Sequence, residues 1–206
     1  MKKSVFFKII SICLAVVMLG SFAGCAGNKN AEPAEHSFVK ITMENGDSFI
    51  MELYPEYAPE TVENFLSLVE SGFYDGLTFH RVFEGFMAQG GDPSGDGTGG
   101  SDKEIKGEFK ENGFTQNTLS HDRGVVSMAR SNDPDSASSQ FFICYNGNNK
   151  RALDGKYAAF GKVIEGMEVV DSFLEVERAF SASDNNFTKP LTPIVMKKAE
   201  IIDYSK

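Results

Sequence analysis

Between residues 38 and 44, apolar Val39, Ile41 and Met43 alternate with Lys40, Thr42 and Glu44. That two-residue period predicts a strand with one buried face. Residues 48–54 repeat it, with Phe49, Met51 and Leu53 on one side. Asn45-Gly46 stands between the two runs and predicts a hairpin whose tight turn holds both central residues at positive φ. From Pro59 the period changes. Val62, Phe65, Leu66 and Val69 share one helical face, Pro59 suits a first turn, and Gly72 suits a stop. A second helix is predicted over 167–176, where Met167, Val170, Phe173 and Leu174 line up. Further strand runs are predicted at 77–83, 86–89, 125–129, 141–145, 158–164 and 194–202. Many short strands, two helices and glycine-rich turns point to a mainly β fold, a closed antiparallel barrel without exposed edges.

The chain's N-terminal segment breaks this pattern. Lys2, Lys3 and Lys8 precede an almost unbroken apolar run of 15 residues, 9–23, which ends at Gly24-Cys25. A spanning helix needs about 20 apolar residues. Fifteen with a basic start and small residues at the end read as a secretory signal. Residues 25–37, which begin at Cys25 and contain Pro33, read as a flexible tether, and 38–204 as one folded domain. Of three cysteines, Cys13 lies in the apolar run and Cys25 at its end. That leaves Cys144 alone in the body, as a small apolar residue with no partner for a disulfide.

Charge narrows the partners. The 206-residue chain carries 20 basic and 29 acidic residues, a formal charge of −9. Without the three lysines of the leading segment it is more acidic still, a surface that repels phosphate backbones and excludes nucleic acid. Eighteen phenylalanines and no tryptophan predict a phenylalanine-packed core.

Three stretches carry candidate chemistry. In the first, residues 79–92 (FHRVFEGFMAQGGD), strand alternation puts Arg81 and Phe83 on one face. Phe86 and Met87 follow a turn at Glu84-Gly85, and Gln89 lies on the side of Met87. One charged fork, one amide and large apolar groups thus converge. The second stretch joins residues 124–130 (GVVSMAR) to 139–143 (SQFFI), and the third is 153–163 (LDGKYAAFGKV).

In series, these stretches resemble the cyclophilin-type peptidyl-prolyl cis–trans isomerases over residues 38–203. The resemblance implies an eight-stranded barrel capped by two α-helices, with its site on the outer barrel face. It implies that Arg81 is catalytic and that Gln89 binds the substrate backbone. Phe86, Met87, Phe142 and Leu153 match the pocket for the proline ring, and Ala129 and Arg130 match the strand along which the peptide lies. His121 and Gln140 match peripheral groove positions, and Tyr157 stands where many members have histidine. Ala152 stands where the family often has a tryptophan that contacts its cyclic-peptide inhibitor, and Asp135 and Ser138 also depart from the family pattern. The segment Ala23-Gly24-Cys25 resembles the bacterial lipoprotein signal, in which the cysteine is lipidated and becomes the first residue; Phe22 departs from that pattern.

Other motifs carry less. Gly95, Gly97 and Gly100 fit G-x-G-x-x-G, but the motif opens no helix and Asp92 and Asp96 would repel phosphate. The run from Asp92 starts like a calcium loop, yet Lys103 stands at its twelfth position. It reads as a mobile surface loop. Ser120-His121-Asp122 are adjacent and cannot converge as a triad, and His36, His80 and His121 lack metal-ligand spacing. His80 is expected to support Arg81 from behind the strand. The expectation is therefore an isomerase of X–Pro bonds in unfolded exported proteins, without metal or cofactor. It would be monomeric and lipid-anchored on the extracytoplasmic face of a bacterial membrane. The rival is a non-catalytic proline-peptide binder or holdase on the same barrel.

Overall fold

The computed structural model describes residues 35–205. The expected signal segment, most of the expected tether and Cys25 lie outside them. The predicted hairpin forms β1 (Ser37–Met43) and β2 (Ser48–Leu53), with Ile41 opposite Phe49 and Val39 opposite Met51. Its turn differs from the expected two-residue type. The Met43 N–H donates to Asp47 O and the Gly46 N–H to Met43 O, and of Asn45 and Gly46 only Gly46 has positive φ. This is a three-residue loop, with Gly46 in the left-handed position. The Asp47 N–H donates to Asn45 Oδ1, so Asn45 serves the turn through its side chain.

After α1 (Pro59–Glu70) the strands run β3 (Thr78–Phe83), β4 (Met87–Asp92), β5 (Val125–Met128) and β6 (Phe141–Cys144). A short α2 (Lys150–Leu153) leads to β7 (Ala159–Glu165) and α3 (Met167–Ser172). A 3₁₀ turn, Phe173–Glu175, completes the second predicted helical stretch. Next come β8 (Arg178–Ser181), β9 (Asn186–Pro190) and β10 (Met196–Ile202). Eight strands form one antiparallel sheet in the order β10-β1-β2-β7-β5-β6-β4-β3. The sheet curls until its ends meet through a bridge between Thr78 and Val195 and bonds from Phe79 N to Ile194 O and Met196 N to Leu77 O. Closure is thus a short contact, not a full ladder. β8 and β9 form a separate hairpin that the sequence pattern did not predict.

Alternation decides which side chains fill the interior. Phe49, Phe65, Phe79, Phe141 and Phe160 are fully buried beside Tyr74. Phe65 packs 5.1 Å from Phe160 and 5.4 Å from Phe141, ring centroid to centroid, within the favoured aromatic range. Helix α1 brings Phe65 into this cluster, and its own N-cap residue, Ala58, supplies no side-chain bond. Buried Glu108 caps it instead, accepting the Glu60 and Thr61 N–H groups at 3.0 and 2.8 Å.

Candidate active site

Register builds the site. Arg81 on β3 faces Gln89 on β4, Gln89 faces Phe142 on β6, and Phe142 faces Ser127 on β5. Directly opposed residues share a sheet face, so these four form one row across four strands. Phe83, Met87 and Cys144 form the next. Their sequence neighbours Val82, Ala88, Phe141 and Ile143 point into the barrel core.

This outer face carries a second apolar cluster. Met87, Phe142, Cys144 and Leu153 are buried in it, with Phe83, Phe86, Ala129 and Tyr157 packed against them and partly exposed. Phe86 lies 6.4 Å from Phe142, and Tyr157 meets Phe142 edge-on at 5.9 Å. Burial pushes the Cys144 thiol up to about 12, so it behaves as a small apolar wall. Leu153 reaches the cluster because α2 turns back at Asp154, whose carboxylate holds the His121 N–H and ring.

Polar groups flank the cluster in a continuous chain. Arg81 Nη1 donates to Gln89 Oε1 at 3.1 Å, Gln89 Nε2 donates to Gln140 Oε1 at 2.8 Å, and Gln140 Nε2 donates to Gly97 O and Gly99 O. On its other side Arg81 is held by Asp184, at 3.0 and 2.9 Å from Nε and 2.6 Å from Nη2. Its guanidinium carbon stands 5.8 and 5.9 Å from the Phe83 and Phe86 ring centroids. Burial alone would raise the Asp184 carboxyl, but bonds from Arg81 and Thr188 outweigh it and hold it below the ordinary carboxylate range. Nothing in the sequence singled out Asp184, which lies 103 residues from Arg81.

Several expected residues sit differently. His121 is not at the groove surface. Only 1% exposed, it lies beneath Phe142, stacked at 6.0 Å, with Nδ1 bonded to Asp154 and Nε2 to Ser127 Oγ. It braces the pocket floor. Arg130 bonds Lys156 O and stacks on Tyr157 at 4.7 Å, and with Ala129 it lines a cleft shared with Gln89 and Gln140. His80 has no hydrogen bond from either ring nitrogen, to Arg81 or otherwise, among the described residues. The glycine-rich loop is not loose, because Asp92 accepts the N–H groups of Ser94, Asp96 and Gly97.

A family profile described as "Cyclophilin type peptidyl-prolyl cis-trans isomerase/CLD" matches residues 38–201. The chain belongs to the cyclophilin family. Peptidyl-prolyl cis-trans isomerase B of Bacillus subtilis is 48% identical over 126 residues, 61% of this chain and 82% of that protein. A Helicobacter pylori peptidyl-prolyl cis-trans isomerase is 41% identical over 145 residues, 69% of this chain and 83% of that one. The crystal structure of a Cryptosporidium parvum cyclophilin type isomerase aligns with TM-score 0.70 at 31% identity, covering 83% of this chain and all of that one. A second structure of that isomerase, in the presence of the dipeptide Ala-Pro, aligns with TM-score 0.69. Within this cyclophilin chain Ala152 is exposed at the rim, one residue before pocket-lining Leu153.

The histidines of this cyclophilin predict its pH response. Burial lowers both His121 and His80 below their ordinary value. The unfolded chain therefore binds protons first, near about pH 6.5. Their stabilisation is complete above that pH and is lost as pH falls towards the depressed folded values. For His36 burial also pulls down, but Glu52 and Glu56 raise it overall, so it works weakly in the opposite sense. The melting temperature should hold from pH 8 to 7 and fall between pH 6.5 and 5. His80→Phe should flatten that slope in calorimetric scans; an unchanged slope would exclude His80.

Proposed function

We propose that this chain accelerates X–Pro rotation in exported proteins, with Arg81 as the catalytic donor. The barrier to peptide rotation is about 18–20 kcal/mol and arises from C–N double-bond character. Uncatalysed X–Pro exchange takes tens to hundreds of seconds. A turnover of about 10³ s⁻¹ therefore requires a lowering of ~7 kcal/mol. No bond breaks. As the link twists, the proline nitrogen lone pair leaves conjugation and becomes a hydrogen-bond acceptor. A guanidinium N–H aimed there stabilises the twisted state more than either planar isomer, which is the requirement for catalysis. Arginine suits the task because it stays charged and its fork is planar.

The observation that carries this reading is the row Arg81–Gln89–Phe142, which sets a cation and an amide beside an apolar notch of Phe86, Met87 and Leu153. The notch takes the proline ring and excludes water, Gln89 holds the peptide backbone, and Arg81 acts at the nitrogen. One preorganised donor in such a site contributes about 3–4 kcal/mol. The rest is left to ring and backbone positioning. Exchange spectroscopy on an Ala-Pro peptide tests it. Exchange cross-peaks that strengthen with catalytic amounts of protein support the isomerase. A non-catalytic proline-peptide binder has one observation in its favour, the engagement of Arg81 by Asp184. It predicts shifted peptide resonances without faster exchange.

The placement outside the membrane rests on the leading segment. Three lysines, the apolar run and Ala23-Gly24-Cys25 support cleavage before Cys25 and lipidation of its thiol. The polar tether would then hold the isomerase near chains emerging from the membrane. X–Pro isomerisation is slow enough to limit their folding, and its catalysis needs no ATP. Mass spectrometry of the producing bacterium's membrane fraction should find an N-terminus at a lipidated Cys25. An uncleaved, unmodified N-terminus would remove the anchor.

A further inference from the structure

Arginine in solution rotates about all its side-chain bonds, and each freedom lost before the reaction is entropy that catalysis need not supply. Arg81 is held at its guanidinium from two sides. Its five N–H groups divide into two edges and a tip. The Nε/Nη2 edge is taken by Asp184 and one Nη1 hydrogen by Gln89. One N–H on each terminal nitrogen is left without a partner among the described residues. Asp184 is itself fixed: its side chain is only 9% exposed, and buried Thr188 donates to Oδ2 at 2.6 Å. Both residues belong to the β8–β9 hairpin region, where Asn185, next to Asp184, takes a positive φ of 49°. Arg178 at the hairpin base is tied to Leu174 O, Val176 O and Phe187 O. The hairpin is anchored at both ends and presents one carboxylate to β3.

We propose that Asp184 is the positioning residue of the site, holding the Arg81 guanidinium by its Nε edge so that its tip faces the proline nitrogen. This rests on the isomerase reading. The geometry separates it from a blocking role. A blocking carboxylate would take the tip and stand over the notch, whereas this one takes the side edge and is sunk against Thr188. Its charge also keeps a half-buried arginine paired, and a pair with one fixed member directs the other. The hairpin is thereby a part of the site, although it belongs to no strand of the main sheet.

The test compares wild type, Asp184→Asn and Thr188→Ala, with Asp171→Asn as a control on the exposed Arg123 pair. Exchange spectroscopy gives kcat and KM for an Ala-Pro peptide, and ¹⁵N spectra follow the Arg81 Nε–H. We expect Asp184→Asn to lower kcat about tenfold with KM changed less than twofold, in line with the steep dependence of rate on placement. Thr188→Ala should fall between, and Asp171→Asn should match wild type. The Arg81 Nε–H should give a slowly exchanging signal in wild type that is lost in Asp184→Asn. An active wild type beside an Asp184→Asn variant of equal or higher kcat would overturn the positioning role alone. A KM rise at constant kcat would overturn it too. A wild type that binds the peptide without accelerating exchange would instead bring down the isomerase reading, and this inference with it.

Discussion

Replacing Arg81 with alanine should lower kcat/KM for an Ala-Pro peptide at least about a hundredfold and leave the fold intact. The side chain is 30% exposed on the outer barrel face, so its loss opens no cavity in the interior. It does remove one partner each from Asp184 and Gln89, which keep Thr188 and Gln140, and some stability will be lost there. The two consequences differ in kind and can be separated. Circular dichroism and a melt report the fold, while exchange spectroscopy reports the reaction. The effect should fall mainly on kcat, because a donor to the proline nitrogen acts only once the link has twisted. Lysine at 81 should not restore activity, since one ammonium cannot serve Asp184, Gln89 and a substrate nitrogen in a single plane. An activity loss under threefold in the alanine variant would remove Arg81 from the mechanism.

Phe141→Ala should be the most damaging single truncation for stability, about 3–5 kcal/mol. Phe141 is fully buried and packs on Phe65, Tyr74 and Phe79 at 5.4, 5.6 and 5.8 Å. Those three come from α1, from the segment after it and from β3. No neighbour can collapse into the space without leaving its own contacts. The adjacent Phe142→Ala should behave otherwise. Phe142 faces the outer cluster, where its ring is covered by the partly exposed Phe86 and Tyr157 rather than by the barrel interior. It should cost less than half as much stability and instead raise KM several-fold as well as lower kcat. Urea titrations of both variants, with peptide kinetics on each, check the contrast. Equal stability losses would mean that the outer cluster belongs to the structural core. Two adjacent phenylalanines with opposite consequences follow directly from strand alternation.

Phe142 on β6 was placed at the site only by the resemblance to the cyclophilins, but all eight strands of the main sheet, both longer helical stretches, and the faces shared by Arg81 with Phe83 and by Met87 with Gln89 were legible in the sequence pattern. The reason is local. A period of two assigns faces without knowledge of the partner strand, so Arg81 and Phe83, or Met87 and Gln89, had to share a side. The residues that tertiary structure alone decided are those whose partners lie far along the chain. Glu108 caps a helix that begins 49 positions earlier, and His121 lies under Phe142 because Asp154 and Ser127 take both its nitrogens. The β8–β9 hairpin has no legible strand pattern because its strands are short, its burial does not alternate cleanly, and Phe180 and Phe187 are exposed. Its one sequence signal was Asp184-Asn185-Asn186, a turn-forming run. Periodicity reports which way a side chain faces. It carries no information about which distant carboxylate will meet it, and for Arg81 that pairing is set by the closing of the fold.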